Sequence, residues 1–144
     1  MSHFVIVYDC DDVLIGLNEV AHELAGIPLE KRKYYSISKE TDISQEKKDK
    51  LIKCYGQVDT FRKAEFYDGA DEIFNIEESG LAKVYIHSLS YTEDILAYKR
   101  ERLKAKYPNI SEGRLLLECG YTKSSLDDID ILIEDNIENI AKSK

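Results

Sequence analysis

Apolar and polar positions fall into blocks along this chain, and the period of the blocks switches between strand and helix. Phe4-Val5-Ile6-Val7-Tyr8 is a continuous β-branched and aromatic run, the pattern of a strand buried on both faces of a parallel sheet. It stops at Asp9-Cys10-Asp11-Asp12. Leu17, Val20, Ala21 and Leu24 recur at i, i+3, i+4 and i+7 and predict a helix closed by Gly26 and Pro28. From Glu30 to Lys63 the chain is polar and charged, with helix-compatible spacing around Leu51, Ile52 and Tyr55, and reads as a small helical insertion. Tyr67-Asp68-Gly69-Ala70 reads as a turn leading into a helix around Asp71 to Glu78, ended by Ser79-Gly80. Val84 to His87 is a second strand, ending at Ser88-Leu89-Ser90. A long charged helix is expected from Thr92 to about Lys106, before Pro108. Arg114 to Glu118 and Asp130 to Ile133 complete the strands, the last ending at Glu134-Asp135-Asn136. Strands alternating with helices predict an α/β fold with a parallel sheet.

Length and charge narrow what such a fold can do. A chain of 144 residues is one domain, or one domain with a small insertion. Its net charge of −8 argues against binding a nucleic-acid duplex, which needs a basic face. The opening MSHFVIVY is too short for a signal peptide or a membrane span, so the expected compartment is the cytoplasm. Cys10, Cys54 and Cys119 form no paired motif, which argues against a disulfide framework or a zinc site. His3, His22 and His87 have no second ligand at metal spacing.

The chemistry gathers at the strand ends, because open parallel sheets bind ligands beyond their carboxyl edges. Asp9 and Asp11 follow the first strand, Ser88 the second and Glu134-Asp135 the fourth, with Lys123 in the preceding connection. Carboxylates converging in one cleft repel unless a hard cation sits among them, and oxygen-only ligands favour Mg²⁺ over zinc. A magnesium ion, a lysine and a hydroxyl are what a transferring phosphoryl group requires. A carboxylate can also attack phosphorus and form an aspartyl phosphate.

The order and spacing of these residues resemble the haloacid dehalogenase-like (HAD) superfamily of phosphohydrolases. Its apolar strand followed by Asp-x-Asp is matched by Val7-Tyr8-Asp9-Cys10-Asp11, and its strand ending in Thr or Ser by Val84 to Ser88. Its lysine is matched by Lys123, and its strand ending in paired acids by Ile131-Leu132-Ile133-Glu134-Asp135. Within the superfamily the chain looks most like the 5′(3′)-deoxyribonucleotidases, which carry a small helical cap between the first two motifs. Phe66 to Ala70 resembles the loop by which that family leaves its cap, and Tyr98 to Pro108 the helix after its second motif.

The resemblance implies a three-layer core with helices on both faces of the sheet, formed by residues 1–16 and 67–144, and a cap formed by 17–66. It implies that Asp9 is the nucleophile and that Asp11 protonates the leaving group and then activates water. Ser88 and Lys123 would hold the phosphoryl oxygens. Mg²⁺ would bind the Asp9 side chain, the Asp11 backbone carbonyl and Asp135, with Glu134 beside them. The implied substrate is a small phosphomonoester, a nucleoside 5′(3′)-monophosphate first. Asp12 stands where glycine is common, Leu89 where a second small hydroxyl residue is usual, and Tyr121 where arginine is found two residues before the lysine.

Each of these residues also has a plainer reading. Asp after a strand is a common turn residue, and Lys99, Lys104 and Lys106 compete with Lys123 for the phosphate. Tyr34-Tyr35 and Tyr55 could stack on a base or pack into the cap's own core. Cys10 is expected to be a buried, inert thiol, and His87 could line the cleft or pack on the sheet. The charges from Glu93 to Lys106 read as a solvated helix face. A phosphomutase or phosphotransferase of the same superfamily, or a non-catalytic binder of phosphorylated ligands, is the alternative function. A response-regulator receiver fits poorly, because its phosphorylated Asp follows the third strand.

Overall fold

The four apolar runs pair side by side in one direction, as their burial pattern requires. In the computed structural model, which describes residues 3–136, they are β1 (Phe4–Tyr8), β2 (Ala82–Ser90), β3 (Leu115–Cys119) and β4 (Ile131–Ile133). They form one open, all-parallel, four-stranded sheet in the order β3-β2-β1-β4. The α/β fold expected from the sequence is therefore present. With β1 between β2 and β4, the segments that follow these strands meet at one edge. The ends of the expected core assignment, residues 1–2 and 137–144, lie outside the described residues.

Four α-helices join the strands: α1 (Leu17–Ala25), α2 (Gln45–Tyr55), α3 (Val58–Lys63) and α4 (Glu93–Lys106). The Thr92 hydroxyl caps α4 by accepting the Ile95 N–H at 3.2 Å, and Glu93 and Asp94 complement the first turn. Gly26 closes α1 in the left-handed conformation, φ 70°, where a side chain would be strained. The main core lies on the sheet face of Ala82, Val84 and Ile86, against Ile95, Leu103 and Tyr107. Residues 17–66 divide between two cores. Leu17, Phe61 and Ala64 join the main one, whereas Ala21, Ala25, Ile27, Ile43, Leu51 and Cys54 form a separate cluster.

Several local expectations need correction. β1 is not buried along its length: Val7 is enclosed, but Phe4 is 59% exposed. β2 runs on to Ser90, so Ser88 lies inside the strand rather than beyond it. The helix expected at Asp71–Glu78 is instead two 3₁₀ segments, Asp68–Glu72 and Asn75–Ser79. The Tyr107 hydroxyl donates to the Ala70 carbonyl at 2.6 Å and Phe74 sits edge-on to Tyr107, which pins the segment in short tight turns.

Between α1 and α2 the insertion holds two short 3₁₀ turns instead of a continuous helix, and side chains organise it. Glu40, 1% exposed, accepts the N–H groups of Lys33 at 2.5 Å and Tyr34 at 2.7 Å. Arg32 donates to the carbonyls of Tyr34 and Tyr35 and to His22 Nε2 at 2.8 Å. Because arginine cannot give up its proton, His22 must accept at Nε2 and donate from Nδ1 to the Asn18 carbonyl, 2.7 Å away.

His22 is thus held neutral. Burial, with the Arg32 charge adding to it, lowers its pKa below the ordinary 6.5. The unfolded chain binds this proton near pH 6.5 and the folded one only at lower pH, so stability falls as pH drops through that window. His22→Gln removes the titration. Tm of wild type and variant, compared from pH 7.5 to 5, should converge as pH falls; a constant difference would overturn the assignment.

Candidate functional site

The site begins where β1 ends. The Asp9 N–H donates to the Ile133 carbonyl at 2.8 Å, so the ladder with β4 carries Asp9 toward Glu134 and Asp135. The chain then turns sharply. The Cys10 carbonyl accepts the N–H groups of Leu14 at 2.8 Å and Ile15 at 3.1 Å, while Asp12 takes φ 61°. Asn is tolerated in that left-handed region and so is Asp, which is how Asp12 occupies a position where glycine was expected. Its Oδ1 accepts the Asn18 N–H at 2.7 Å, fastening the turn to the start of α1. The turn is also tied to the returning chain, Gly16 N–H to Glu65 O at 2.9 Å and Tyr67 N–H to Leu14 O at 2.8 Å. A Cβ at Gly16 would come within 3.3 Å of the Tyr67 ring, so glycine lets the ring lie close against the turn.

Two lysines divide the acids between them. Lys123 Nζ lies 3.1 Å from Asp9 Oδ1 and 2.8 Å from Glu134 Oε2. Lys99 Nζ lies 2.7 Å from Asp11 Oδ2, 2.9 Å from Ser88 Oγ and 2.8 Å from the Leu89 carbonyl. The expected site residues therefore come together as two linked groups: Asp9, Lys123, Glu134 and Asp135 in one, Asp11 and Ser88 in the other. Asp9 and Ser88 are buried, and the second carboxylate oxygen of Asp11, Oδ1, is buried without a hydrogen-bond partner among the described residues.

Lys99 corrects the reading of α4 as a solvated face. It is 1% exposed, with its ammonium 5.1 Å from the centre of the Phe61 ring. The signal was present in the sequence. Ile95, Lys99 and Leu103 recur every four residues and are the buried stripe of α4, with a lysine at its centre. An ammonium has three donors, and Lys99 uses one on each of its three partners. Among the described residues Lys123 has two acceptors, which leaves one donor.

The charges respond to this packing. Burial, then the hydrogen bond and charge of Glu134, push the Asp9 carboxyl well up, against the pull of Lys123. Burial works to raise Glu134 too, but hydrogen bonds from Asp9, Lys123 and Asp135 hold it down at about 2. Burial, with Glu134 beside it, raises Asp135 to about 6, and burial raises Asp12 to about 7. Asp9, Glu134 and Asp135 bring carboxylate oxygens within 4.8 Å of one another, an all-oxygen donor set of the kind a hard divalent cation takes. The Asp11 side chain is not part of that group, because Lys99 draws it away.

Cys10 is fully buried, and burial followed by the Asp11 charge raises its thiol, as expected of an inert cysteine. Of the tyrosines in the insertion, Tyr55 packs between the two cores and donates to Asn18 Oδ1, whereas Tyr34 and Tyr35 stay exposed. The Tyr35 hydroxyl is nonetheless raised by local burial and then by the charges of Asp135 and Asp9. Tyr91 and Tyr121, following β2 and β3, face each other with ring centres 6.0 Å apart. A cavity of about 560 Å³ lined by His3, Glu77, Lys83 and Arg114 lies at the opposite, amino edge of the sheet and has no part in this cluster.

No protein-family model matches the chain, and no curated protein sequence matches it. Among solved structures it is similar to a crystal structure described as a HAD-superfamily hydrolase, subfamily IA, variant 1, from Geobacter sulfurreducens. The identity is 13% and the TM-score 0.36, over 82% of this chain and 62% of that one. This chain thus spans less than two thirds of that protein's length, and the likeness is a distant one of fold. None of these comparisons bears on a nucleotidase family. Among the described residues no helix is long and apolar enough to cross a membrane.

Lys99→Met should destabilise the protein by about 2–4 kcal/mol in urea unfolding, because it leaves the Asp11 carboxylate beside an apolar interior. In an Asp11→Asn background the loss should shrink by about 1–3 kcal/mol, the coupling of two residues in direct contact. Additive losses would show that the pair is not the link between α4 and the site.

Proposed function

We propose that this protein is a Mg²⁺-dependent phosphatase of small phosphomonoesters, nucleoside 5′(3′)-monophosphates first, acting through an aspartyl phosphate on Asp9. The observation that carries the reading is the meeting of Asp9, Lys123, Glu134 and Asp135, from three separate segments, at the carboxyl edge of a parallel sheet. In this crowded set Glu134 stays ionised while Asp9 and Asp135 are pushed up, and a cluster of this kind is favoured when a ligand brings positive charge. Asp9, Asp135 and the Asp11 carbonyl would hold the ion, with Glu134 supporting them. Bound there, Mg²⁺ would supply charge that keeps these carboxylates ionised and neutralises phosphoryl oxygens.

The remaining steps belong to the chain's own groups. An Asp9 carboxylate oxygen bonds to phosphorus as the phosphorus–oxygen bond to the alcohol breaks. Asp11 enters this step as the carboxylic acid, with Oδ2 on Lys99 and the proton on Oδ1, which has no hydrogen-bond partner among the described residues, and it gives that proton to the departing alkoxide. Asp11 then accepts a proton from a water whose oxygen attacks phosphorus, which releases phosphate and restores Asp9. Lys123, with a donor to spare, holds phosphoryl oxygens. Ser88 contributes its hydroxyl proton, because Lys99 already donates to its oxygen.

Residues 17–66 act in this reading as a cap over the site, supported by their separate apolar cluster. The exposed rings of Tyr35, Tyr91 and Tyr121 favour a planar leaving group, since every nucleobase offers a face to stack.

Phosphate release from deoxyribonucleoside and ribonucleoside monophosphates and sugar phosphates tests the proposal. Release should require Mg²⁺ and stop with EDTA. Asp9→Asn should lower kcat by at least about 10³-fold and Asp11→Asn by about 10²–10⁴-fold. Activity surviving Asp9→Asn would overturn the site. Tight phosphate binding without turnover would move the assignment to a non-catalytic binder, and transfer to an added alcohol without release to a phosphotransferase.

A further inference from the structure

The connection that carries Lys123 has no helix or strand between Cys119 and Ile131. Among the described residues, the polar contacts fastening residues 122–129 are those of Lys123 itself and two made by Ser124. Both of the latter end on one carboxylate. The Ser124 N–H donates to Glu118 Oε2 at 3.1 Å, and the Ser124 hydroxyl donates to Glu118 Oε1. Glu118 stands on β3 opposite Leu89 of β2, which puts its side chain on the same sheet face as His87. His87 Nε2 donates to Glu118 Oε2. Burial lowers the His87 pKa, and the hydrogen bonds from Ser124 and His87 outweigh the burial of Glu118 and hold its carboxyl below the usual range. An ionised Glu118 thus accepts from His87, the neighbour of Ser88, and from Ser124, the neighbour of Lys123.

We propose that Glu118 is the positioning residue of the site: held by His87, it fixes Ser124 and so sets the reach of the Lys123 ammonium to Asp9, Glu134 and the phosphoryl oxygens. Lys123 makes no ion pair with Glu118, so the covalent route from Glu118 to Lys123 is the backbone of residues 123–124, beside the charge that Lys123 exerts on His87. In its catalytic consequence the inference rests on the function proposed above; in its structural content it does not.

Two measurements separate these. The first is partial acetylation of the folded protein with an N-hydroxysuccinimide ester, mapped by mass spectrometry, with Lys99 as an internal reference. Lys99 is also buried, 1% exposed against 8% for Lys123, but sits on α4 and makes no contact with Glu118 or Ser124, so each lysine's rate is compared with its own wild-type value. Glu118→Ala should speed acetylation of Lys123 by about tenfold or more relative to Lys99. Glu118→Gln keeps one acceptor oxygen for Ser124 but loses the other and the charge, so it should raise the ratio about two- to threefold, and it serves alone if the alanine variant does not fold, an unchanged ratio then overturning the role. The second is Mg²⁺-dependent hydrolysis of p-nitrophenyl phosphate, in which kcat/KM should fall about 10–100-fold in Glu118→Ala, as for other residues that orient a ligand-binding group, with partial recovery in Glu118→Gln. Equal acceleration at both lysines, or none at either, would overturn the positioning role. A wild type that hydrolyses nothing would sink the phosphatase reading, and the acetylation ratio would still decide the part played by Glu118.

Discussion

Placing Asp9, Asp11, Glu134 and Asp135 at one sheet edge is a Coulomb problem before it is a catalytic one. Carboxylates a few ångströms apart in a partly desolvated cleft oppose folding unless cations share the space. Two buried ammonium groups meet that requirement from different directions. Lys99 comes up from the interior on α4 and takes Asp11 and Ser88. Lys123 comes across from the β3–β4 connection and takes Asp9 and Glu134. The acids that neither lysine contacts show what burial costs: Asp135 is raised to about 6 and Asp12 to about 7.

The backbone around this edge is built to hold the balance. The turn after Asp9 folds back on the Cys10 carbonyl, is capped onto α1 through Asp12, and is tied to residues 65–67 where the chain returns from the insertion. The insertion therefore leaves and rejoins the sheet at the site itself. Its own apolar cluster lies apart from the main core, while Leu17, Phe61 and Ala64 stay with the sheet. The Phe61 ring beside the Lys99 ammonium thus brings the insertion to the charge system as well.

How much of this is written in the sequence depends on the range of the interaction. The four strands and the acids at their ends are legible, because an apolar run that stops at a charge is a local pattern. The positive φ at Asp12 is not, since it follows from the turn that the Cys10 carbonyl organises. Lys99 is obscured by its own chemistry: a lysine inside a buried stripe cancels the amphipathic signal of α4, and the helix reads as solvated all round. The stretch 68–79 carries acids at helical spacing but folds as 3₁₀ turns because Tyr107 and Phe74, far apart in sequence, hold it. Glu118 and Ser124 look like ordinary surface residues until β3 and β2 are paired and His87 is found behind them. For the 68–79 stretch and for Glu118 and Ser124 the missing information is a long-range pairing.

The two lysines also divide stability from ligand binding. All three donors of Lys99 are used on protein oxygens, so binding another anion would mean breaking a buried contact. It acts as a fixed internal charge, and a substitution there falls mainly on folding. Lys123 is fixed at two acceptors and anchored through a single neighbouring residue, on a connection with little structure of its own. In the proposed function Lys123 is the donor that meets a phosphoryl group, and an element on which a small movement disturbs few contacts suits that role. The same reasoning accounts for the carboxylate at Glu118. A connection free enough to admit a ligand needs one strong anchor near its functional residue, and an ionised acceptor shared by a backbone N–H, a hydroxyl and a buried imidazole provides it without adding a cation to the site.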